Sequence, residues 1–141
     1  GIRVPGLLSW PGKIKPGTSA VPVCNVDLLP TACDLAGVKL PEAPLDGTSL
    51  LPLIEGKAIK RTVPLYWQYD RALGGFTSAV REGDWKLLAD AKRDKLSLYH
   101  LGDDPAESRD LARDKPDELA RKGESPHGPT QTAWSGQDPH P

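Results

Sequence analysis

Residues 76–89 read FTSAVREGDWKLLA, and this stretch decides the fold. Two runs of strand-forming residues flank Glu82-Gly83-Asp84, a tight-turn signal between β-strands. Alternation places Thr77, Ala79 and Arg81 on one face, and Phe76, Ser78 and Val80 on the other. Working outward, VPLYWQY (63–69) precedes the hairpin and LSLYHL (96–101) follows it. Each is short, β-branched or aromatic, and bounded by turn residues. The stretch from 63 to 101 therefore predicts a meander of four short antiparallel strands.

Upstream the period changes. NVDLLPTACDLAG (25–37) predicts a helix, with Asp27 as N-cap, Pro30 in the tolerated first turn and Gly37 as the stop. Leu28, Leu29, Ala32, Leu35 and Ala36 repeat at helical spacing and predict its apolar face. TSLLPLIEG (48–56) predicts a short second helix capped by Thr48. At the start, GIRVPGLLSWPG carries Ile2, Val4, Leu7, Leu8 and Trp10, an apolar run that reads as a buried strand. Such a strand needs neighbours on both sides, and isolated it is expected to be partly unfolded or prone to aggregate. Arg3, a charge inside that run, is expected to be paired.

Downstream, GDDPAESRDLARDKPDELARK (102–122) predicts turns and a terminal helix, with Pro105 and Pro116 at first-turn positions. From residue 123 onward Gly, Pro, Ser and Gln dominate without periodicity, which predicts a disordered tail over 123–141. The order is strand, two helices, meander and terminal helix: an α+β chain.

Composition excludes some functions. Eighteen Lys and Arg face 19 Asp and Glu, for a formal charge of −1. There is no basic field to attract nucleic acid, and no apolar run long enough to span a membrane. Cys24 and Cys33 on one helix would lie about 13 Å apart along its axis, too far for a disulfide.

The residues specify little chemistry. His100, at a strand end, has no identifiable catalytic partner. Asp103, Asp104, Glu107 and Asp110 cluster, but not in the spacing of a calcium loop. Asp104, before Pro105, reads instead as a turn or N-cap residue. WPGKIKPGTS lacks the spacing of a phosphate-binding loop. The strand end YWQYDR (66–71) groups aromatic and polar side chains that suit either a sugar contact or inward packing. Trp67, Gln68 and Arg71 are the candidate substrate-binding residues there.

Six motifs in order complete the reading: GIRVPGLLSWPGKIKPGT, VDLLPTACDLAGVKLP, LDGTSLLPLIEGK, PLYWQY, AVREGDWKLL and LYHLGDDPAESRDLA. Together, over residues 1–122, they resemble the C-terminal third of a type I sulfatase, in the N-acetylgalactosamine-6-sulfatase-like style of the arylsulfatases. The resemblance implies an α+β fragment of an α/β, alkaline-phosphatase-like fold. Residues 1–62 would end the catalytic domain with one strand and two helices. Residues 63–122 would form a small antiparallel sheet with a C-terminal helix.

The resemblance also implies sulfate-ester hydrolysis, a formylglycine nucleophile, Ca²⁺, a sulfated carbohydrate substrate, and a periplasmic or secreted location. The family's C-x-[P/A]-S-R motif is met neither at Cys24 nor at Cys33, and its catalytic lysine would fall just before Gly1. The chain is therefore expected to be truncated, to lack an N-terminal catalytic domain and to be inactive alone. Other readings stay open: a stand-alone glycan-binding module, or part of a related phosphatase or phosphonate hydrolase.

Overall fold

The computed structural model describes residues 2–123. The chain divides between Lys60 and Arg61 into two compact units.

In the first unit a 3-10 turn, Asn25–Asp27, runs into helix α1, Leu28–Ala36. Gly37 ends α1 with φ 66°, a conformation open to glycine at little cost. The helix packs inward through Pro30, Thr31 and Cys33 rather than through its leucines. Asp27 is fully buried and Thr31 nearly so, whereas Leu28 is 61 % exposed and Leu29 and Leu35 are also exposed. The expected apolar face is thus on the outside. The cause is a set of hydrogen bonds that tie the Asp27–Thr31 side to the segment at 48–50. The Asp27 carboxylate accepts the N–H groups of Cys24 (2.8 Å) and Thr48 (2.9 Å). The Thr31 hydroxyl donates to the Asp27 carbonyl and accepts the Leu50 N–H at 2.9 Å.

Asp27 therefore caps the 3-10 turn rather than the α-helix itself. Nor does Thr48 cap helix α2, Leu51–Ile54. Its N–H is bound to Asp27, and the α2 N-terminus uses Ser49 instead, whose Oγ accepts the Leu51 N–H at 3.2 Å.

Residues 2–10 form no strand. The strand expected there is replaced by an irregular, exposed segment in which Leu7 is 97 % accessible. A strand persists only where a neighbour satisfies its backbone groups. None of the four described strands pairs with this stretch.

In the second unit the meander forms as its turn chemistry predicts. Strands β1 (Leu65–Gln68), β2 (Phe76–Glu82), β3 (Trp85–Asp90) and β4 (Leu96–His100) pair antiparallel in sequence order. Glu82 faces Trp85 across a two-residue loop, with Gly83 at φ 58° in the first central position. The register aligns Tyr66, Val80, Leu87 and Leu98 in one row across the sheet. Val80, Leu87 and Leu98 are the buried core, with Trp85, Leu96, Ala112 and Leu119 packed on them.

Helix α3, Pro116–Gly123, supplies Leu119 to that core. Pro116 stands at its first position, where a missing N–H costs nothing. Pro105 starts no helix and lies in a turn. Alternation alone would leave the other face wet, yet Leu65, Ala79, Lys86 and Ser97 are buried there. Lys86 is admitted because Glu107 meets its ammonium with both oxygens, at 2.6 and 2.7 Å. The outer edge of β4 is closed by residues 110–111. The Leu98 N–H donates to Asp110 Oδ1 at 3.0 Å, and the Leu98 carbonyl accepts the Leu111 N–H at 2.7 Å. Of the tail expected over 123–141, Gly123 instead ends helix α3, and positions 124–141 lie outside the described residues.

Candidate functional site

The strand end singled out in the sequence lies where β1 runs into the loop at 69–75. Successive residues of a strand point to opposite faces. Trp67 shares the face of Leu65 and is half-buried; Gln68 shares the face of Tyr66 and is exposed. Arg71 is exposed in the loop beyond. Trp67 and Gln68 therefore do not form one patch.

A different set is joined instead. The Tyr66 hydroxyl donates to Gln68 Oε1 at 2.9 Å, and Gln68 Nε2 donates to Asp70 Oδ1 at 3.3 Å. Tyr66 is the i−2 neighbour of Gln68 on one face of β1, whereas Asp70 lies in the turn beyond the strand end. The chain fixes the orientation of the Gln68 amide. It leaves one Gln68 N–H and several carboxylate lone pairs for an outside hydroxyl. The loop is shaped by the Tyr69 N–H to Thr77 carbonyl bond (2.7 Å) and by Gly74 and Gly75 at φ 97° and 86°. It carries Tyr69 and Leu73 outward, Leu73 fully exposed.

His100 lies at the opposite end of the sheet. Its Nδ1 is 2.8 Å from Asp103 Oδ2, but off the line a hydrogen bond requires. Its ring meets Trp85 edge-on, centroids 4.7 Å apart. It is a half-buried packing residue rather than a solvated one.

The four clustered carboxylates are spread over separate tasks. Asp103 faces His100, and Glu107 holds Lys86. Asp104 accepts the Ser108 hydroxyl and the Arg109 N–H, which closes the turn. The Arg109 N–H, then Ser108, hold the Asp104 carboxyl below its usual range. For Asp110 partial burial opposes ionisation. The Leu98 and Ala112 N–H groups, with Ser97 and Arg113, outweigh it and lower the carboxyl. No group of three or more His, Cys, Asp or Glu that could hold a metal ion occurs among the described residues. Cys33 is buried and Cys24 half-buried, both as free thiols. These residues do not fit a Ca²⁺ site or a formylglycine nucleophile. No helix among the described residues is long and apolar enough to cross a membrane.

Comparison with known proteins gives the same assignment as the motifs. Residues 1–122 match the family model described as N-sulphoglucosamine sulphohydrolase, C-terminal, rather than one of the N-acetylgalactosamine-6-sulfatase type. The chain is 37 % identical over 134 residues to the choline-sulfatase of Rhizobium meliloti (strain 1021), covering 93 % of this chain and 23 % of that protein. To arylsulfatase A of Bos taurus it is 35 % identical over 144 residues, covering 85 % of this chain and 28 % of the relative. Among solved structures, a 2-O GAG sulfatase superposes with a TM-score of 0.55 at 31 % identity, over 67 % of this chain and 22 % of that one. The chain spans about a quarter of the length of the curated relatives it matches. From the ordered motifs, the four-stranded sheet with its packed helix and this match over 122 residues, the chain belongs to the sulfatases and corresponds to their C-terminal, alkaline-phosphatase-like part.

Proposed function

We propose that this chain is the C-terminal part of an enzyme that hydrolyses sulfate esters of sulfated sugars or glycans, and that the end of β1 lines its substrate mouth. The match to the sulfatase C-terminal family over residues 1–122 carries the reading. The relatives' names span choline and GAG sulfatases, so the choice of a sugar rests on the β1 end. The Tyr66–Gln68–Asp70 chain offers oriented donors and acceptors suited to vicinal hydroxyls. Gln68 and Arg71 are the polar contacts in this reading, Arg71 facing a sulfate as a planar fork. Trp67 contributes its exposed rim from the opposite face.

The formylglycine nucleophile and Ca²⁺ belong, in this reading, to the remaining part of the polypeptide, as does any export to the periplasm or outside the cell. Support for such a larger assembly comes from the exposed apolar residues Val4, Leu7, Leu8, Leu28 and Leu29. Each large apolar side chain covered contributes roughly 1.5–3 kcal/mol.

The test is sulfate release by the complete polypeptide from a panel of sulfated sugars, with Trp67→Ala, Gln68→Ala and Arg71→Ala beside the parent. The expected result is a KM raised about tenfold with kcat retained, about 1.4 kcal/mol of lost binding. Unchanged Michaelis constants on every sulfated sugar would remove the β1 end from the site. Absence of sulfate release from the whole panel would remove the enzyme assignment.

A further inference from the structure

Among the described residues, His100 Nδ1 is the one buried side-chain nitrogen or oxygen without a hydrogen-bond partner. Yet it lies 2.8 Å from Asp103 Oδ2. Such closeness suits a ring that carries a proton on Nδ1, because a bare ring nitrogen would set its lone pair against those of the carboxylate. The His100 side chain is 27 % exposed and that of Asp103 is 88 % exposed. The carboxylate is therefore the partner free to swing onto the line of an N–H.

The ring is held from several sides. The register aligns Glu82, Trp85 and His100 in one row, so the three share a face of the sheet. Trp85 meets the ring edge-on, and Glu82 is occupied by Lys122 of α3. The turn between β2 and β3 brings a second carboxylate. A Cβ at Gly102 would lie 3.2 Å from both Asp84 Oδ2 and His100 Cε1, so the bare glycine is all that stands between that carboxylate and the ring. The other cations at this end are placed elsewhere. Arg81 is on the opposite face and donates to the Gly83 carbonyl. Arg61 precedes β1, three strands from β4, about 14 Å away. The charged groups that face the ring are thus Asp103 and Asp84.

The backbone of the turn at 101–104 is tied to the same residues. The Leu101 N–H donates to the Asp84 carbonyl at 2.6 Å, and the Asp104 N–H donates to the His100 carbonyl at 2.9 Å. Beyond this turn the chain carries Glu107 to Lys86 and Asp110 to the outer side of β4. A change at His100 therefore acts where the covering segment leaves the sheet.

We propose that His100 is a proton-operated catch on the turn at 101–104. With the ring charged, Asp103 closes onto the Nδ1–H and the turn is pinned beside Asp84. With the ring neutral, the ion pair is lost and the turn opens more often. The proton is exchanged with solvent, and no covalent bond between heavy atoms changes. Histidine is the side chain that ordinarily changes charge between about pH 5 and 8. Proton uptake and closure of the turn favour each other, so the catch holds at acid pH and slackens as pH rises. Because Asp103 is exposed, the effect is a local one of about threefold in the opening equilibrium.

The experiment measures amide hydrogen exchange of the full chain at about pH 5.5 and 7.5, on the two sides of the histidine range, corrected for the intrinsic pH dependence of exchange. The expected result is protection of Leu101 and Asp104 about threefold higher at the lower pH. Leu87, in the core row, should show no such difference. The difference should vanish in His100→Gln and shrink in Asp103→Asn. Equal protection at the two pH values in the parent would overturn the proposal, as would an undiminished difference in either variant. Asp103→Asn replaces an exposed side chain by one of equal size, so it decides the matter even where His100→Gln disturbs the packing on Trp85.

Discussion

Asp27 Oδ1 accepts the Thr48 N–H at 2.9 Å across 21 residues of sequence. A fully buried carboxylate thereby joins the first helix of the chain to the segment that leads into the second. The same carboxylate accepts the Cys24 N–H, so its loss strands two backbone donors. Each costs about 1–3 kcal/mol when left without a partner. Asp27→Ala is expected to destabilise the first unit by about 2–4 kcal/mol, and Asp27→Asn, which keeps one acceptor, by less. Hydrogen exchange at Thr48 and Leu50 checks this. Protection unchanged in Asp27→Ala would mean that the staple is not what holds the unit.

Gly47 adjoins the staple. A Cβ there would lie 1.9 Å from the Val26 carbonyl oxygen and 2.6 Å from its carbon, both backbone atoms. Neither can rotate away as a side chain can. Gly47→Ala is expected to cost about 3 kcal/mol. Limited proteolysis should cut the first unit of the variant sooner while the sheet stays intact. Proteolysis at the parent rate would refute the contact.

Lys86 and Glu107 form a pair whose members are unequally replaceable. Glu107→Gln leaves a buried ammonium without its counter-charge and is expected to cost about 3 kcal/mol. Lys86→Met removes the need for the charge, so the double variant should recover most of that loss. Urea unfolding of the three variants measures the coupling. Simple additivity would show that the pair is dispensable.

Leu87 lies in the middle of the core row, 1 % exposed, between Val80 and Leu98. Leu87→Ala is expected to cost about 2–5 kcal/mol, among the largest effects of any truncation in the sheet. Leu73→Ala, in the exposed loop, should stay within about 0.5 kcal/mol. Thermal denaturation of the two side by side decides whether burial ranks the sites correctly.

The Asp110 carboxyl is held low in the folded chain. A group whose folded pKa lies below its unfolded value stabilises the fold above the unfolded value, near 3.8 here, and stops doing so as pH falls through the folded one. Stability of the parent should therefore drop on acidification below about pH 4, and Asp110→Asn should flatten part of that drop. Parallel pH curves for the two chains would exclude Asp110 as a contributor. Asp104 acts in the same direction and sets the background to subtract.

The meander was legible because its signals are local. A two-residue turn at Gly83-Asp84 and alternating strands specify their own register, which aligns Val80 with Leu87 without outside help. The 25–37 helix was legible as a helix, and Gly37 as its stop, for the same reason. Its buried face was not. Leucines at helical spacing say which side is apolar, but the side turned inward was chosen by Asp27 and Thr31 bonding to residues 48–50, a distant pairing no periodicity records. The stretch 2–10 read as a strand because its composition is that of one, and composition cannot supply a neighbour. At the candidate site, residue types pointed to the end of β1. Strand alternation then regrouped them, separating Trp67 from Gln68 and linking Gln68 to Tyr66 and Asp70.

The seal that Asp110 and Leu111 place along β4 has a consequence for where this sheet can gain a strand. Of its two outermost strands, one is already occupied, and β1 alone has no strand on its outer side among the described residues. At Leu98 the outward backbone groups of β4 are already used inside the chain, so a further strand would find its open backbone groups along β1 rather than at the centre of β4.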